Sequence, residues 1–349
     1  MRTEAIRTPA QTALIPERHD TEELFVCDIA DAVLKDIMPQ MEHPFYSLSK
    51  KPERDVREYR HGDQWIRIVP SALGQATIYD KDILIYAISQ LMGKQVRGEP
   101  IGRRVRLNSH DFLRFTNRGT GGKDYTALVD ALSRLNGTMI QTNIVTGDEE
   151  QFDSFSLISA AATRRKHGLD GRLLWVELEL SEWLFNAIRQ QEVLTLHRDY
   201  FRLRKPLERR IYELARKHCG RQRSWKCSII LLQKKSGAKS DAKRFRQLIR
   251  GIVATDHLPD YRLSYDWESD SVTFTNRKTM TDVPAKAPGK QISVTLSEDA
   301  FAQARRAAPG WDVYYLEREW RDWMSELPRN ADAAFVGFCR TWFTKRGRP

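Results

Sequence analysis

Cysteine is scarce in this chain. Four occur in 349 residues, at positions 27, 219, 227 and 339, a scatter that outlines no disulfide framework and fits reduced thiols in a cytoplasm. His218 and Cys219 with Cys227 offer three zinc ligands, but no fourth stands at a matching spacing, so no metal is expected. None of the eight histidines falls in a His-x-His arrangement, which a metal-dependent DNA nickase with a tyrosine nucleophile would need. Tyr200, Tyr212 and Tyr261 are therefore read as core or DNA-facing. Long apolar runs are also missing: nothing approaches the ~18–20 residues that span a bilayer, and the first twenty residues hold no apolar signal core. The glycine-rich GTGGKD at 119–124 lacks the first glycine of a phosphate loop and the hydroxyl residue after its lysine. It reads as a turn before a helix. Together these absences predict a non-enzymatic protein without cofactor or membrane anchor, working in the cytoplasm.

Positive charge is what the chain has. Hydrophobic residues make up 41% and charged residues 30%, values of a globular protein, and the net charge is +11. Residues 197–251 carry eighteen Lys and Arg against four acids, so the rest of the chain is slightly acidic. A local basic block beside well-formed helices is the footprint of a nucleic-acid binder. An anionic membrane surface would instead expect exposed Trp or Leu opposite the basic face, where this sequence has an ordinary core stripe. Phe245, Leu248, Ile249 and Ile252 follow i, i+3, i+4, i+7 on one helical face, with Lys243, Arg246, Gln247 and Arg250 on the other and Arg244 at its edge. Ser240 suits the N-cap and Asp241 the first turn. A strand candidate at 224–227, an apolar helix, this basic helix and a hairpin at 261–276 make up a winged helix-turn-helix.

In chain order, residues 1–20 read as a flexible arm, followed by a short amphipathic helix from Glu22. A hairpin flanks Gly62-Asp63, and Asp80 is expected to cap a buried helix that Gly93 ends. Next come a strand at 103–107, an Asn108-capped helix, a turn, and a helix over 124–136 with Leu128, Ala131, Leu132 and Leu135 on one face. Segments 138–145 and 152–158 are expected to pair as its wing. This is the same architecture as the later unit. The predicted fold is α+β: two winged helix-turn-helix domains in tandem plus a small all-α C-terminal module. The expected boundaries are 21–165 for the first domain, 166–281 for the second and main DNA-binding one, 282–290 for a linker, and 291–349 for the helical module. Between the winged units lie a strand at 172–180 and a helix opened by Ser181. Four of nine tryptophans fall between 311 and 342, which means a small core or a partner groove.

The candidate DNA-binding residues divide by role. Arg246 and Arg250 are read as base readers, because a guanidinium can bond guanine O6 and N7 together, and Gln247 as a reader of adenine. Lys239, Lys243 and Arg244 are assigned to phosphates. Arg202, Arg204, Lys205 and Arg209 lie at the end of a helix that a phosphate backbone would approach. The first unit offers Lys123, Thr126 and Arg134 on a nearly neutral face. The second is expected to supply most of the affinity.

The runs EHPFYSLSKKP, ATIYDKDILIYAISQLM, TNRGTGG with LNGTMIQTNIVTG, and DYFRLRKPLERRIYELARKHCG resemble the replication initiator protein A family of bacterial plasmids, in collinear order over roughly residues 22–280. The resemblance implies two winged-helix domains, double-stranded DNA repeats at a plasmid origin as target, and host replication proteins such as an initiator or helicase as partners. It also implies origin opening as a monomer and repression of the chain's own gene, with copy control, as a homodimer. A transcriptional repressor without an initiator role would use the same helices. The Trp-rich C-terminal module favours the initiator over it, and a DNA-nicking initiator is the remaining alternative.

Overall fold

Leu128, Ala131, Leu132 and Leu135 are all buried on one side of a single helix, Gly122–Gly137, as their spacing requires. Of the second quartet, Phe245, Ile249 and Ile252 are buried and Leu248 is half-buried. The computed structural model describes residues 14–19, 34–61, 64–143, 153–165, 173–279, 296–323, 328 and 330–347. The segment from Glu22, the tip at 146–151 and the linker at 282–290 fall outside these.

The first half of the chain runs β1 (Lys35–Ile37), α1 (Met38–Glu42), β2 (Arg57–His61), β3 (Gln64–Val69), α2 (Lys81–Val96), β4 (Arg104–Asn108), α3 (Ser109–Phe115) and α4 (Gly122–Gly137). Then come β5 (Met139–Thr142), β6 (Asp153–Ser156), β7 (Ile158–Arg165), β8 (Leu173–Leu180), α5 (Glu182–Arg189) and β9 (Val193–Thr195). The second half runs α6 (Pro206–His218), β10 (Ser224–Ser228), α7 (Ile229–Ser236), α8 (Ala242–Thr255), β11 (Tyr261–Asp266) and β12 (Ser271–Asn276). It closes with α9 (Glu298–Ala307), α10 (Val313–Trp323) and α11 (Ala331–Arg346).

Local signals explain most ends. Asn108 accepts hydrogen bonds from the His110 and Asp111 amides, Ser181 from Leu184 and Ser297 from Ala300. Helix α2 runs through Gly93 to Val96, and the chain turns at Gly98 with φ +73°. Asp80 does not cap it, because its carboxylate is held by Arg134.

The chain divides into two units, one formed by 1–217 with 229–260, the other by 218–228 with 261–349. In the first unit, β2-β3-β5-β6 form one antiparallel sheet and β4-β8-β7 another. Strands β5 and β6 do pair as expected, but the strand that enters the first helix-turn-helix, β4, pairs with β8. The strand read as lying between the winged units is thus central to the first one's sheet. Its inward residues Val176, Leu178 and Leu180, with Trp183, Leu184 and Ile188 of α5, join the core built on α2. The N-terminal residues 14–19 are tied down rather than loose. The Ile15 amide donates to the Arg202 carbonyl at 3.1 Å, the Arg18 amide to Asn117 Oδ1 at 2.7 Å, and Asn117 Nδ2 to the Pro16 carbonyl at 3.0 Å.

In the second unit, β10-β12-β11 form an antiparallel sheet closed by the Trp267–Asp270 turn. Helices α9, α10 and α11 surround Leu316, Trp320, Phe335 and Cys339. Sheet and helices belong to one unit here: Trp225 of β10 donates its indole N–H to Asp312 at 3.0 Å, and His218 reaches the same carboxylate at 3.2 Å. Buried aromatic groups need partners for their polar atoms, and Asp312 supplies two at once.

Candidate nucleic-acid interface

The second helix-turn-helix is built from α7 and α8. Ile229 and Leu232 bury one side of α7, and the chain leaves it at Gly237, where φ is +72° and a Cβ would lie 2.6 Å from the Pro44 side chain. Only glycine fits that turn. The cap of α8 lies one residue later than its sequence suggests: Asp241 accepts the Arg244 amide at 2.7 Å, while the Ser240 carbonyl accepts Gln233 Nε2 at 2.5 Å. With Phe245, Ile249 and Ile252 fixed inward, helical geometry sends Lys243, Arg244, Gln247 and Arg250 outward, and all four are exposed. Arg246 is half-buried at the edge of this face. Arg244 donates to Gln247 Oε1 at 2.5 Å, which aligns two long polar side chains along the helix. No acidic side chain lies between residues 242 and 255, so α8 presents four cations without an internal counter-charge. Lys239, in the turn, is half exposed and pairs with Glu53 at 3.2 Å.

The cations just before and at the start of α6 behave differently. Arg204 and Lys205 are exposed, Lys205 pairing with Glu208 at 2.9 Å. Arg202 is occupied by the Ile15 carbonyl at 2.9 Å and by Asp199 at 3.1 Å. Arg209 corrects the expectation of a DNA contact, since it is only 4% exposed. Its guanidinium binds Asp82 at 2.7 Å and lies over the Tyr79 and Tyr200 rings. Burial opposes the charge, but Asp82 and the tyrosines hold its pKa above the ordinary arginine value. Of the residues proposed on the first helix face, Lys123 and Thr126 are exposed, the Thr126 hydroxyl donating to the Gly122 carbonyl at 3.2 Å. Arg134 is a second correction: it turns back to hold both Asp80 oxygens, at 2.7 and 2.8 Å, and this raises its pKa.

Arg209 and Arg134 belong to a network that sequence reasoning missed. The run Asp80-Lys81-Asp82 opens α2 and ties it to α4, β1 and α6. Asp80 holds Arg134 on α4. Lys81 is fully buried between Asp36 at 2.6 Å and Glu213 at 2.9 Å, and Asp82 holds Arg118 at 2.9 Å as well as Arg209. Glu213 also accepts the Tyr200 hydroxyl at 2.6 Å and pairs with Arg210 at 3.2 Å. Arg210 donates to the carbonyls of Met41, Glu42 and Lys235 at 2.8–2.9 Å. Burial pushes Asp36 up to about 6 despite the neighbouring Lys81. The signal was in the sequence: in α6, Glu208 and Glu213 flank Arg209 and Arg210, whereas α8 has no acid.

Against known proteins, residues 35–263 match the family described as Replication initiator protein A. The chain belongs to that family. It is also 36% identical over 259 residues to a protein of Wigglesworthia glossinidia brevipalpis described as a putative replication protein, covering 73% of this chain and 94% of that one. Among solved structures, this family member is similar to domains 2 and 3 of RctB, with a TM-score of 0.48 and 13% identity over 77% of this chain and 98% of that one. It is also similar to the Pi initiator protein in complex with iteron DNA, with a TM-score of 0.42 and 15% identity over 58% and 91% of the two chains. Among the described residues no helix is long and apolar enough to cross a membrane, and no cluster of His, Cys, Asp or Glu could hold a metal.

Proposed function

We propose that this replication initiator binds repeated double-stranded sites at a plasmid origin, with α8 in the major groove as the main reader and α4 as a weaker second contact. The acid-free, outward row Lys243, Arg244, Gln247 and Arg250 carries this reading. Binding and bending energy would open adjacent DNA without nucleotide hydrolysis or strand cleavage by this chain. Host replication proteins would join the opened origin, and a homodimer would repress the chain's own gene.

Footprinting on the plasmid that encodes the chain tests the first step. Protected repeats are expected, and affinity should fall steeply with salt, by about 0.9 log unit per log unit of salt for each phosphate neutralised. A flat salt response defeats the proposal. Initiation itself is tested by placing the gene beside those repeats on a selectable circle with no other origin. Maintenance only with an intact gene supports the initiator, and loss despite normal footprints leaves a repressor. Metal-dependent nicking of supercoiled DNA by the pure protein would overturn the non-enzymatic reading.

A further inference from the structure

The turn between β11 and β12 carries Trp267 with 64% of its surface exposed. It is a rigid knob. The Trp267 ring packs edge-on against Tyr265 at 4.9 Å, the Tyr265 hydroxyl is bonded to Asp270, and Asp266 accepts the Glu268 amide at 3.1 Å and the Ser269 hydroxyl at 2.5 Å. The turn also carries three acids, Asp266, Glu268 and Asp270, of which Asp266 pairs with Lys226 at 3.2 Å. Basic residues are what a wing needs to grip phosphate, so this tip is unsuited to DNA. Tryptophan is instead among the residues enriched in protein-binding hot spots.

The complement of this knob lies on the same chain. The loops at 50–56 and 71–75 are bound together through Arg54 Nε to the Ala72 carbonyl at 2.9 Å and the Gln75 amide to the Glu53 carbonyl at 2.7 Å. They expose two apolar side chains, Val56 at 50% and Leu73 at 53%. The first of these loops also carries the exposed cations Lys50, Lys51 and Arg54, with Asp55 its one exposed acid. We infer that the Trp267 knob of one copy docks on the Val56–Leu73 patch of a second copy bound at the neighbouring repeat. The two surfaces differ, so the contact is head-to-tail and can continue from copy to copy without closing. Repeats in one orientation would present copies to each other in that way. This inference rests on the reading that the chain binds such repeats.

The test uses the full-length protein on duplexes with one repeat or with two at their natural spacing. The parent should bind the second site about 10-fold more tightly than an isolated one, the scale of a single hot spot. Trp267→Ala, Glu268→Lys and Lys51→Glu should each bring that ratio to about one. Trp267→Ala should leave single-repeat affinity unchanged, which also shows that it folds, and the two charge variants are read by the ratio of second-site to single-site affinity alone, since each alters charge near the DNA. Glu268→Lys combined with Lys51→Glu should restore it. Weaker single-repeat binding by Trp267→Ala would show that the wing touches DNA and overturn the inference. Independent binding by the parent, or no recovery in the charge swap, would overturn it too. A parent that binds no repeat at all defeats the origin-binding reading instead.

Discussion

Helices α6 and α8 sit in the same basic stretch and carry four cations each, yet they use them in opposite ways. Those of α6 include Arg209 and Arg210, both buried and fixed by carboxylates and carbonyls, while those of α8 include Lys243, Arg244 and Arg250, all exposed. The difference follows from the acids between them. A buried guanidinium needs a carboxylate and several acceptors, and α6 with its neighbours supplies both. Helix α8 supplies no acid of its own, and Lys243, Arg244 and Arg250 stay at the surface. Net charge along a sequence therefore measures potential for binding only after internal pairing is subtracted.

The largest effect should come from breaking the paired side of that contrast. Lys81→Met leaves Asp36 and Glu213 facing each other without their shared cation, and should cost about 3–5 kcal/mol in urea unfolding. A loss under 1 kcal/mol would mean that the network contributes little. On the exposed side, Arg250→Ala should reduce discrimination at one base position by about 1–3 kcal/mol, read by competition among single-base variants of the site. Uniform weakening across sequences would instead make Arg250 a phosphate contact. Lys243→Ala should lower affinity evenly and reduce the salt slope by about 0.9. Arg134→Ala, whose cation is spent on Asp80, should leave that slope unchanged. An equal drop for both would erase the distinction between the two faces.

The smallest effect concerns pH. The folded-state pKa of Asp36, about 6, lies above the ordinary aspartate value of 3.8. The folded protein therefore binds this proton more tightly than the unfolded chain. Its contribution to stability is greatest below about pH 4 and is lost as pH rises through about 6. Compared with Asp36→Asn, the parent should thus gain relative stability as pH is lowered through that window. Equal pH profiles would show that Asp36 titrates normally.

Much of the second helix-turn-helix was legible because period and charge agreed: strand, two helices and hairpin all fall where pattern places them. The first was only partly legible. Pairing of β4 with β8 spans some seventy residues of chain, and alternation marks a strand without naming its partner. The roles of Arg134 and Arg209 were hidden for a related reason. Both are decided by Asp80 and Asp82, distant in sequence, and a helical wheel shows only which way a side chain starts.

Because Asp80, Lys81 and Asp82 clasp α4, β1 and α6 at once, the two helix-turn-helix units are not interchangeable cassettes. A hybrid that takes its second half from a cousin plasmid inherits Glu213 and Arg209 but must find their mates already waiting in the recipient half. If α8 reads the sites as proposed, retargeting this initiator to a foreign origin is better attempted by repainting its outward row than by splicing.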